Sequence, residues 1–333
     1  MPLPRLAGLR ARFAREDWNI GFVAQSAEDI VRHGLTAPVR WLDQPNPWRI
    51  LTAPLCHEQP DGTRVILAEQ INQWIGRGEI WKAVIPPGQD PVRAAFHPWM
   101  RSNIHLSYAL TVRDNGLLYL MVQSWRAGAL HLWCERDGVL SHIGPLIDRP
   151  VLDATPWRDE RGWWLFCALQ DAGPHEQLHL FHAPAITGPW TPHPGNPVKV
   201  DPGSARPAGP LFMAGGKLIR PAQDCSRSYG DALVLHEITR LDQHGFAERC
   251  IRRLEPQSAY PDGLHTLCPA GDITIIDGRR WLFQPLDVPR KFVAALRNRV
   301  RPYRRAALPD RLTLPHETPG AAAPPTSPAD QSA

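Results

Sequence analysis

Six side chains able to grip a hydroxyl-rich or anionic ligand fall within 26 residues of this chain. Ser204-Ala-Arg-Pro-Ala-Gly209 and Arg220-Pro-Ala-Gln-Asp-Cys-Ser-Arg-Ser-Tyr-Gly230 supply Arg206, Arg220, Gln223, Asp224, Arg227 and Tyr229. Arginine presents a planar fork of donors suited to carboxylates, phosphates or vicinal hydroxyls. Aspartate and glutamine accept or exchange hydrogen bonds with sugar hydroxyls. Arg206, Arg220 and Asp224 could instead form a buried ion-pair network that holds the blades together, since buried charges need partners either way. Glu237 interrupts an apolar run, Val234-Leu-His-Glu-Ile238, as a catalytic carboxyl or an arginine's partner would. His265, in Gly263-Leu-His-Thr-Leu267, and His105, in His105-Leu-Ser-Tyr108, are imidazoles that could bind a ligand or simply sit hydrogen-bonded in a core. Asp153, Asp224 and Glu237 are the candidate acid/base or hydroxyl-orienting carboxylates. Arg206, Arg220, Gln223, Tyr229, His265 and His105 are the candidate ligand-binding groups.

Several chemistries lack their motifs. The 14 histidines show no H-x-x-x-H or H-x-E spacing on a helix, and no C-x-x-C pair occurs, so no metal is expected. There is no G-x-S-x-G elbow, no Walker A loop and no G-x-G-x-x-G, and no cofactor is expected.

The elements that position these residues repeat. A glycine turn leads into a short apolar strand ending on a polar residue at Gly62–Gln70, Gly116–Gln123, Gly162–Gln170, Gly216–Asp224 and Gly278–Gln284. The glycines lie 54, 46, 54 and 62 residues apart. Repeats of this size built from strands point to a propeller. Each turn follows another strand candidate (50–57, 105–113, 151–157, 204–212, 264–276), and four precede a third (79–85, 129–135, 177–183, 232–238). The expectation is an all-β, five-bladed β-propeller with short N-terminal and C-terminal helical extensions. In such a ring the first strand of each blade lines the channel. Its equivalent early positions read Ala53, Ser107, Asp153, Arg206 and His265. Convergent polar groups at a channel mouth make a binding site. Most of the 13 tryptophans are expected to pack between blades, leaving Trp74, Trp125 or Trp157 as flat faces for a sugar ring.

The expected segments are a lead-in helix over 1–16, the propeller over 17–289, a basic amphipathic helix over 290–307, and a disordered Pro/Ala-rich tail over 308–333. Residues 290–305 hold seven Lys/Arg and no acid, so the rest of the chain, +4 less 7, carries −3. The positive charge is therefore local, which argues against a nucleic-acid partner for the body. It fits either a peripheral contact of 290–305 with an anionic membrane or a solvated helix on the flank. No apolar run reaches the roughly 18 residues of a membrane span. With no signal sequence and scattered cysteines, the expected location is cytoplasmic, with any membrane contact at the inner face.

Gly188-Pro-Trp-Thr-Pro-His-Pro-Gly-Asn-Pro197, Ser204–Gly209, Arg220–Arg227, Tyr229-Gly230 and Gly263–Leu267 resemble the glucosamine inositolphosphorylceramide transferase N-terminal domain family over about 17–286. The resemblance implies a five-bladed propeller similar to glycoside hydrolase families 43 and 32. It implies a carbohydrate-active propeller that binds a sugar, sugar nucleotide or lipid-linked glycan in glycan or glycolipid assembly. A separate glycosyltransferase is the implied partner. The related hydrolases use three acids, one from each of the first three blades. Here Thr52-Ala53-Pro54-Leu55 lacks the first and Val122-Gln123-Ser124 lacks the second, while Asp153 matches the third. If the protein is an enzyme, the resemblance implies glycosyl transfer or glycoside hydrolysis. Hydrolysis would need Glu237, Asp224 or Glu69 to complete a rearranged acid set. The alternative is a non-catalytic partner that presents glycan to a separate transferase.

Overall fold

A computed structural model describes residues 14–43, 46, 48–136, 139–283, 287, 289–290, 308 and 311–313. Five antiparallel sheets form the blades. Blade one is β3 (Arg49–Glu58), β4 (Arg64–Asn72), β5 (Arg77–Ile85) and β6 (His97–Met100). Blade two is β7 (Ser107–Asp114), β8 (Leu117–Gln123), β9 (Leu130–Arg136) and β10 (Val139–Ile147). Blade three is β11 (Val151–Asp159), β12 (Gly162–Leu169) and β13 (Gln177–Ala183), with short β14 (Thr191–Pro192) and β15 (Lys199–Val200) both paired to β13. Blade four is β16 (Phe212–Ala214), β17 (Lys217–Asp224), β18 (Ala232–Asp242) and β19 (Gly245–Leu254).

Blade five joins the first described strand to the last two strands of the ring. Its inner strands are β20 (Leu267–Ala270) and β21 (Ile273–Phe283), and its outer strands are β1 (Ala14–Val23) and β2 (Val39–Trp41). β1 pairs with β21 from Ala14↔Phe283 to Val23↔Thr274. That pairing closes the ring and gives both strands a partner along their edges.

Period-two alternation explains why the ring holds. In β12, Trp163, Leu165, Cys167 and Leu169 join a cluster with Met121, Leu130 and Leu132 of blade two. The intervening Trp164 and Phe166 join a cluster with Ala205, Leu211 and Leu241 on the blade-four side. Successive side chains point to opposite faces of a sheet, so one strand feeds two interfaces. The remaining blade contacts follow the same rule, each with its own apolar cluster. A helix, α1 (Ala27–His33), capped by Ser26, adds Ala27 and Ile30 to the cluster between blades four and five.

Four features differ from the sequence reading. Residues 14–16 lie in β1, not in a lead-in helix, because their backbone pairs with 281–283; residues 1–13 lie outside the described residues. Gly278 sits within β21, and the last turn is at Gly271-Asp272. A glycine is needed at 278 because a Cβ there would run into the Trp41 ring and Tyr260. In blade four, residues 204–211 form an irregular inner segment joined to β17 by the Pro207↔Ala222 bridge, and β16 begins only at Phe212. Within the expected tail, residues 311–313 form a strand, β22 (Arg311–Thr313), paired to the edge of β10. The expected basic helix lies outside the described residues except for Arg290, which is helical.

Candidate functional site at the channel mouth

One backbone device recurs on the inner strands of the first three blades. Between Thr52 and Leu55, two residues on β3 oppose one on β4. The same bulge falls between Ser107 and Leu110 and between Leu152 and Thr155. The first bulged residue is left-handed in each, with φ 48° at Ala53, 42° at Tyr108 and 50° at Asp153. These are uncommon values for residues with a Cβ. The bulge re-aims the side chain toward the channel. It also corrects the blade alignment: Tyr108, not Ser107, is the blade-two counterpart of Ala53 and Asp153. The cue lay in three aligned tetrapeptides, Thr52-Ala-Pro-Leu55, Ser107-Tyr-Ala-Leu110 and Leu152-Asp-Ala-Thr155.

Neighbouring blades satisfy the bulges. The Asp153 amide donates to Gln123 Oε1 at 2.7 Å, and the Ala53 amide donates to Asp277 Oδ2 at 3.0 Å. Gln123 thus stands where the resemblance implies a catalytic glutamate, and it caps the next blade's bulge instead. Tyr108 Oη lies 2.8 Å from Thr155 Oγ1.

Around these bulges lies a cavity of about 160 Å³ lined by all five blades. Blade one contributes Ala53 and Glu69, and blade two contributes His105, Ser107, Tyr108, Gln123 and Trp125. Blade three contributes Leu152, Asp153 and Gln170. Blades four and five contribute Arg206, Gln223, Tyr229, His265 and Thr266. The lining therefore brings together six of the candidate residues: Asp153, Arg206, Gln223, Tyr229, His265 and His105.

Asp153 and Arg206 form a buried pair, with Nε donating to Oδ2 at 2.6 Å. Gln223 Nε2 donates to the same oxygen at 3.2 Å and to the Pro207 carbonyl at 2.8 Å. Burial alone would push the Arg206 pKa down, but Asp153 outweighs it and the pKa rises. Arg206 Nη1 reaches His175 Nδ1 at 3.0 Å, and its guanidinium lies 4.9 Å from the centre of the Tyr229 ring. Burial pushes the Tyr229 hydroxyl up, and burial followed by Arg206 pushes His175 down. His175, on the turn before β13, had no sequence signal beyond its residue type.

His265 is held by a carboxylate that sequence reasoning missed. Asp277, fully buried on β21, lies 2.6 Å from His265 Nδ1. It also accepts the amides of His265 and Thr266 at 3.1 and 3.0 Å and the Thr52 hydroxyl at 3.0 Å. Burial would raise its pKa, but His265 and these donors outweigh burial and hold it down. The imidazole packs against Trp18 at 4.2 Å and Tyr229 at 5.2 Å. With Nδ1 turned to Asp277, Nε2 is left as the ring's second nitrogen. In blades one and two, Glu69 Oε1 lies 2.9 Å from His105 Nε2, and His105 Nδ1 accepts the Gly78 amide at 3.0 Å. Burial disfavours a charged His105, but Glu69 outweighs it and raises the pKa.

Three candidates lie elsewhere. Arg220 is fully buried and forks onto Glu248 at 2.7 and 2.6 Å and onto the Ser204 carbonyl at 2.8 Å. Asp224 caps Ser226 at 2.8 Å and pairs with Arg253. Glu237 bonds Arg249 at 2.7 Å and Lys217 at 3.1 Å. None of the three lines the cavity; each neutralises charge within blade four. Arg220 and Asp224 are thus ion-paired within blade four, while Arg206, paired with Asp153, joins blade four to blade three at the cavity. Of the tryptophans, Trp125 lines the cavity rim, Trp74 stacks on Trp48 at 5.1 Å, and Trp157 packs into the apolar cluster between blades three and four.

The family model for glucosamine inositolphosphorylceramide transferase 1, N-terminal, matches residues 98–258. The chain resembles this transferase N-terminal family. The stretch covers blades two to four and includes Asp153, Arg206, Gln223 and Tyr229. Glucosamine inositolphosphorylceramide transferase 1 of Oryza sativa subsp. japonica is 29% identical over 153 residues, 43% of this chain and 20% of that protein. Its counterpart from Arabidopsis thaliana is 29% identical over 151 residues, again 43% and 20%. The match to these transferases thus spans about a fifth of their length. Among solved structures, an exo-β-1,3-galactanase from Phanerochaete chrysosporium with galactose superposes at TM-score 0.50 and 10% identity, covering 64% of this chain and 53% of the galactanase. That likeness is one of fold.

Proposed function

We propose that the channel-mouth cavity is a sugar-recognition site serving glycan or glycolipid assembly. One observation carries the reading: six polar residues singled out in the sequence line a single cavity at the mouth of a five-bladed ring. The chemistry suits a sugar. Gln170, Gln223 and Thr266 offer amide and hydroxyl groups, and Tyr229 and Trp125 offer flat apolar faces. Arg206 directs charge at an anionic substituent such as a phosphate. His265, held by Asp277, offers a nitrogen to accept a hydroxyl proton. The name of the similar plant transferases suggests glucosamine and an inositol phosphate headgroup as first ligands to try.

The acid geometry does not favour two-carboxylate hydrolysis. Ala53 occupies the blade-one position, Asp153 Oδ2 already takes two donors, and Glu69 faces His105. Retaining and inverting schemes both need two carboxyls free to act on opposite sides of the bond.

The test is calorimetric and NMR titration with glucosamine and myo-inositol 1-phosphate, alongside Gln170→Ala and Tyr229→Phe. Both side chains line the cavity without a side-chain hydrogen bond among the described residues. Each change should weaken binding by about tenfold, the cost of one well-made polar contact, without lowering the melting temperature. Absence of saturable binding to either ligand, or binding indifferent to both changes, would sink the proposal. Aryl-glycoside turnover abolished by Asp153→Asn would replace it with the hydrolase reading.

A further inference from the structure

The exposed aromatic side chains among the described residues all stand at the mouth end of the ring. They are Trp74, Trp125 and Phe283, 45%, 37% and 67% exposed. β4, β8 and β21 run toward the mouth, passing Glu69, Gln123 and Asp277 of the site. The turn after β4 then carries Trp74, the turn after β8 carries Trp125, and Phe283 ends β21. At the far end the exposed apolar residues, Val84 and Met213, are aliphatic. Phe283 and Trp74 flank one continuous stretch. Phe283 pairs with Ala14, the guanidinium of the next residue, Arg15, lies 4.5 Å from the centre of the Trp48 ring, and Trp48 packs on Trp74 at 5.1 Å.

Positive charge gathers on the same half of the mouth. Arg49, Arg77, Arg101 and Arg126 stand at the mouth ends of blades one and two, and Arg126 lies 4.4 Å from the centre of the Trp125 ring. Glu79, the acid beside them, pairs with Arg77 and Arg101. Arg290 donates to the carbonyl of Gln73, next to Trp74, and it opens the stretch 290–305 with its seven Lys/Arg and no acid. Blades three and four differ. They carry no exposed aromatic there, and Asp171, Glu176, Asp231 and Glu255 outnumber Arg149, Arg227 and Arg253, which pair with three of them.

We propose that the mouth face of blades five, one and two docks on an anionic phospholipid membrane, with Trp74, Trp125 and Phe283 seated among the headgroups. Tryptophan favours that layer because its ring is apolar and its N–H is polar. Arginines beside the rings meet the negative surface, each worth about 1 kcal/mol near it. A stable protein partner covers roughly 800 Å² of one continuous surface. Rings set on three blades around an opening suit a level, fluid surface better. Docking does not require that the cavity take a sugar, but it turns the cavity's opening toward the headgroups.

The test is vesicle flotation with the full chain. Vesicles of phosphatidylcholine with roughly one-third phosphatidylserine should bind it saturably, and pure phosphatidylcholine vesicles at least about tenfold more weakly. Trp74→Ser combined with Phe283→Ser should weaken binding by about tenfold or more, since two rings leave the interface. Met213→Ser, at the far end, should change nothing. Thermal melts check that these exposed changes leave the fold intact. Phosphatidylcholine brominated in its chains, mixed into the anionic vesicles, should quench tryptophan fluorescence, and Trp74→Phe should reduce the quenched fraction. No binding to the anionic vesicles, equal binding to the neutral ones, or an equal loss in Met213→Ser overturns the proposal. Binding unchanged in the double variant also overturns it, and is the result expected if 290–305 alone made the contact or if the rings served a protein partner. Saccharide titration of the double variant should match the wild type, because neither residue lines the cavity. Failure of sugar binding and failure of docking are therefore read separately.

Discussion

Blades one to three and blades four and five bring side chains to the same cavity by different means. The first three use a shared bulge whose leading residue has positive φ, and they place Ala53, Tyr108 and Asp153 there. The last two use irregular segments ahead of the inner strand and place Arg206 and His265 there, each fastened by a carboxylate. In the first half the backbone decides the position and the side chain varies freely. In the second half the side chain's own partner decides it. A position held by backbone geometry can lose its acid and keep its shape, as Ala53 does. A position held by an ion pair cannot change one member without stranding the other.

That contrast can be broken most directly at the pair joining the halves. Asp153→Ala leaves Arg206 buried without its carboxylate and should cost about 3–5 kcal/mol of stability by urea denaturation. Alanine at positive φ is not the cause, because Ala53 already adopts it. Asp153→Ala combined with Arg206→Leu should therefore be markedly more stable than the sum of the single changes predicts. Strict additivity would mean that the backbone, not the pair, sets the cost.

Acid should weaken both halves through neutral histidines, one half-buried and one buried. Burial chiefly pushes both His57 in blade one and His236 in blade four down to about 4. Their folded pKa lies below the unfolded value near 6.5, so the unfolded chain binds more protons between those values. Their contribution is complete above about pH 6.5 and is lost as pH falls toward 4. Urea midpoints at pH 7.5, 5.5 and 4.5 should decline in that order. His57→Gln and His236→Gln, measured separately, apportion the slope between the halves; a slope that neither change reduces would refute the assignment.

The smallest effect concerns the bulge itself. Ala53→Gly removes left-handed strain of about 1 kcal/mol but adds unfolded-chain entropy of similar size. The net change should stay within about 1 kcal/mol of zero, and thermal melts resolve it. A loss well beyond that would show that the Ala53 methyl is packed more tightly than its conformation suggests.

Much of the fold was legible because strand alternation and glycine turns are local signals. The turns at Gly62, Gly116, Gly162 and Gly216 mark real hairpins, and their spacing announced the ring. Gly278 misled because glycine also serves close packing, here against Trp41, and nothing local separates that use from a turn. Val39–Trp41 forms the outer edge of blade five, although it lies next to blade one in the chain, because β1 crosses to pair with β21. In the site, Asp153, Arg206, Gln223, Tyr229, His265 and His105 could be singled out because polar residues interrupt apolar strands there. Arg220, Asp224 and Glu237 carry the same signature and differ only in where their partners stand. Ion pairing between distant residues, Arg220 with Glu248 or His265 with Asp277, leaves no trace in sequence spacing.

By itself the sequence determined the repeat, the all-β class, and a polar bias at the inner ends of the later blades. These follow from period-two burial and turn chemistry, which act over a few residues. Tertiary structure decided which polar residues share a cavity, which bulge aligns Tyr108 with Asp153, and which carboxylate holds each cation. Those depend on contacts between residues far apart in the chain, such as Arg279 with Glu16, 263 residues away. Only closure of the ring brings such residues within hydrogen-bonding distance.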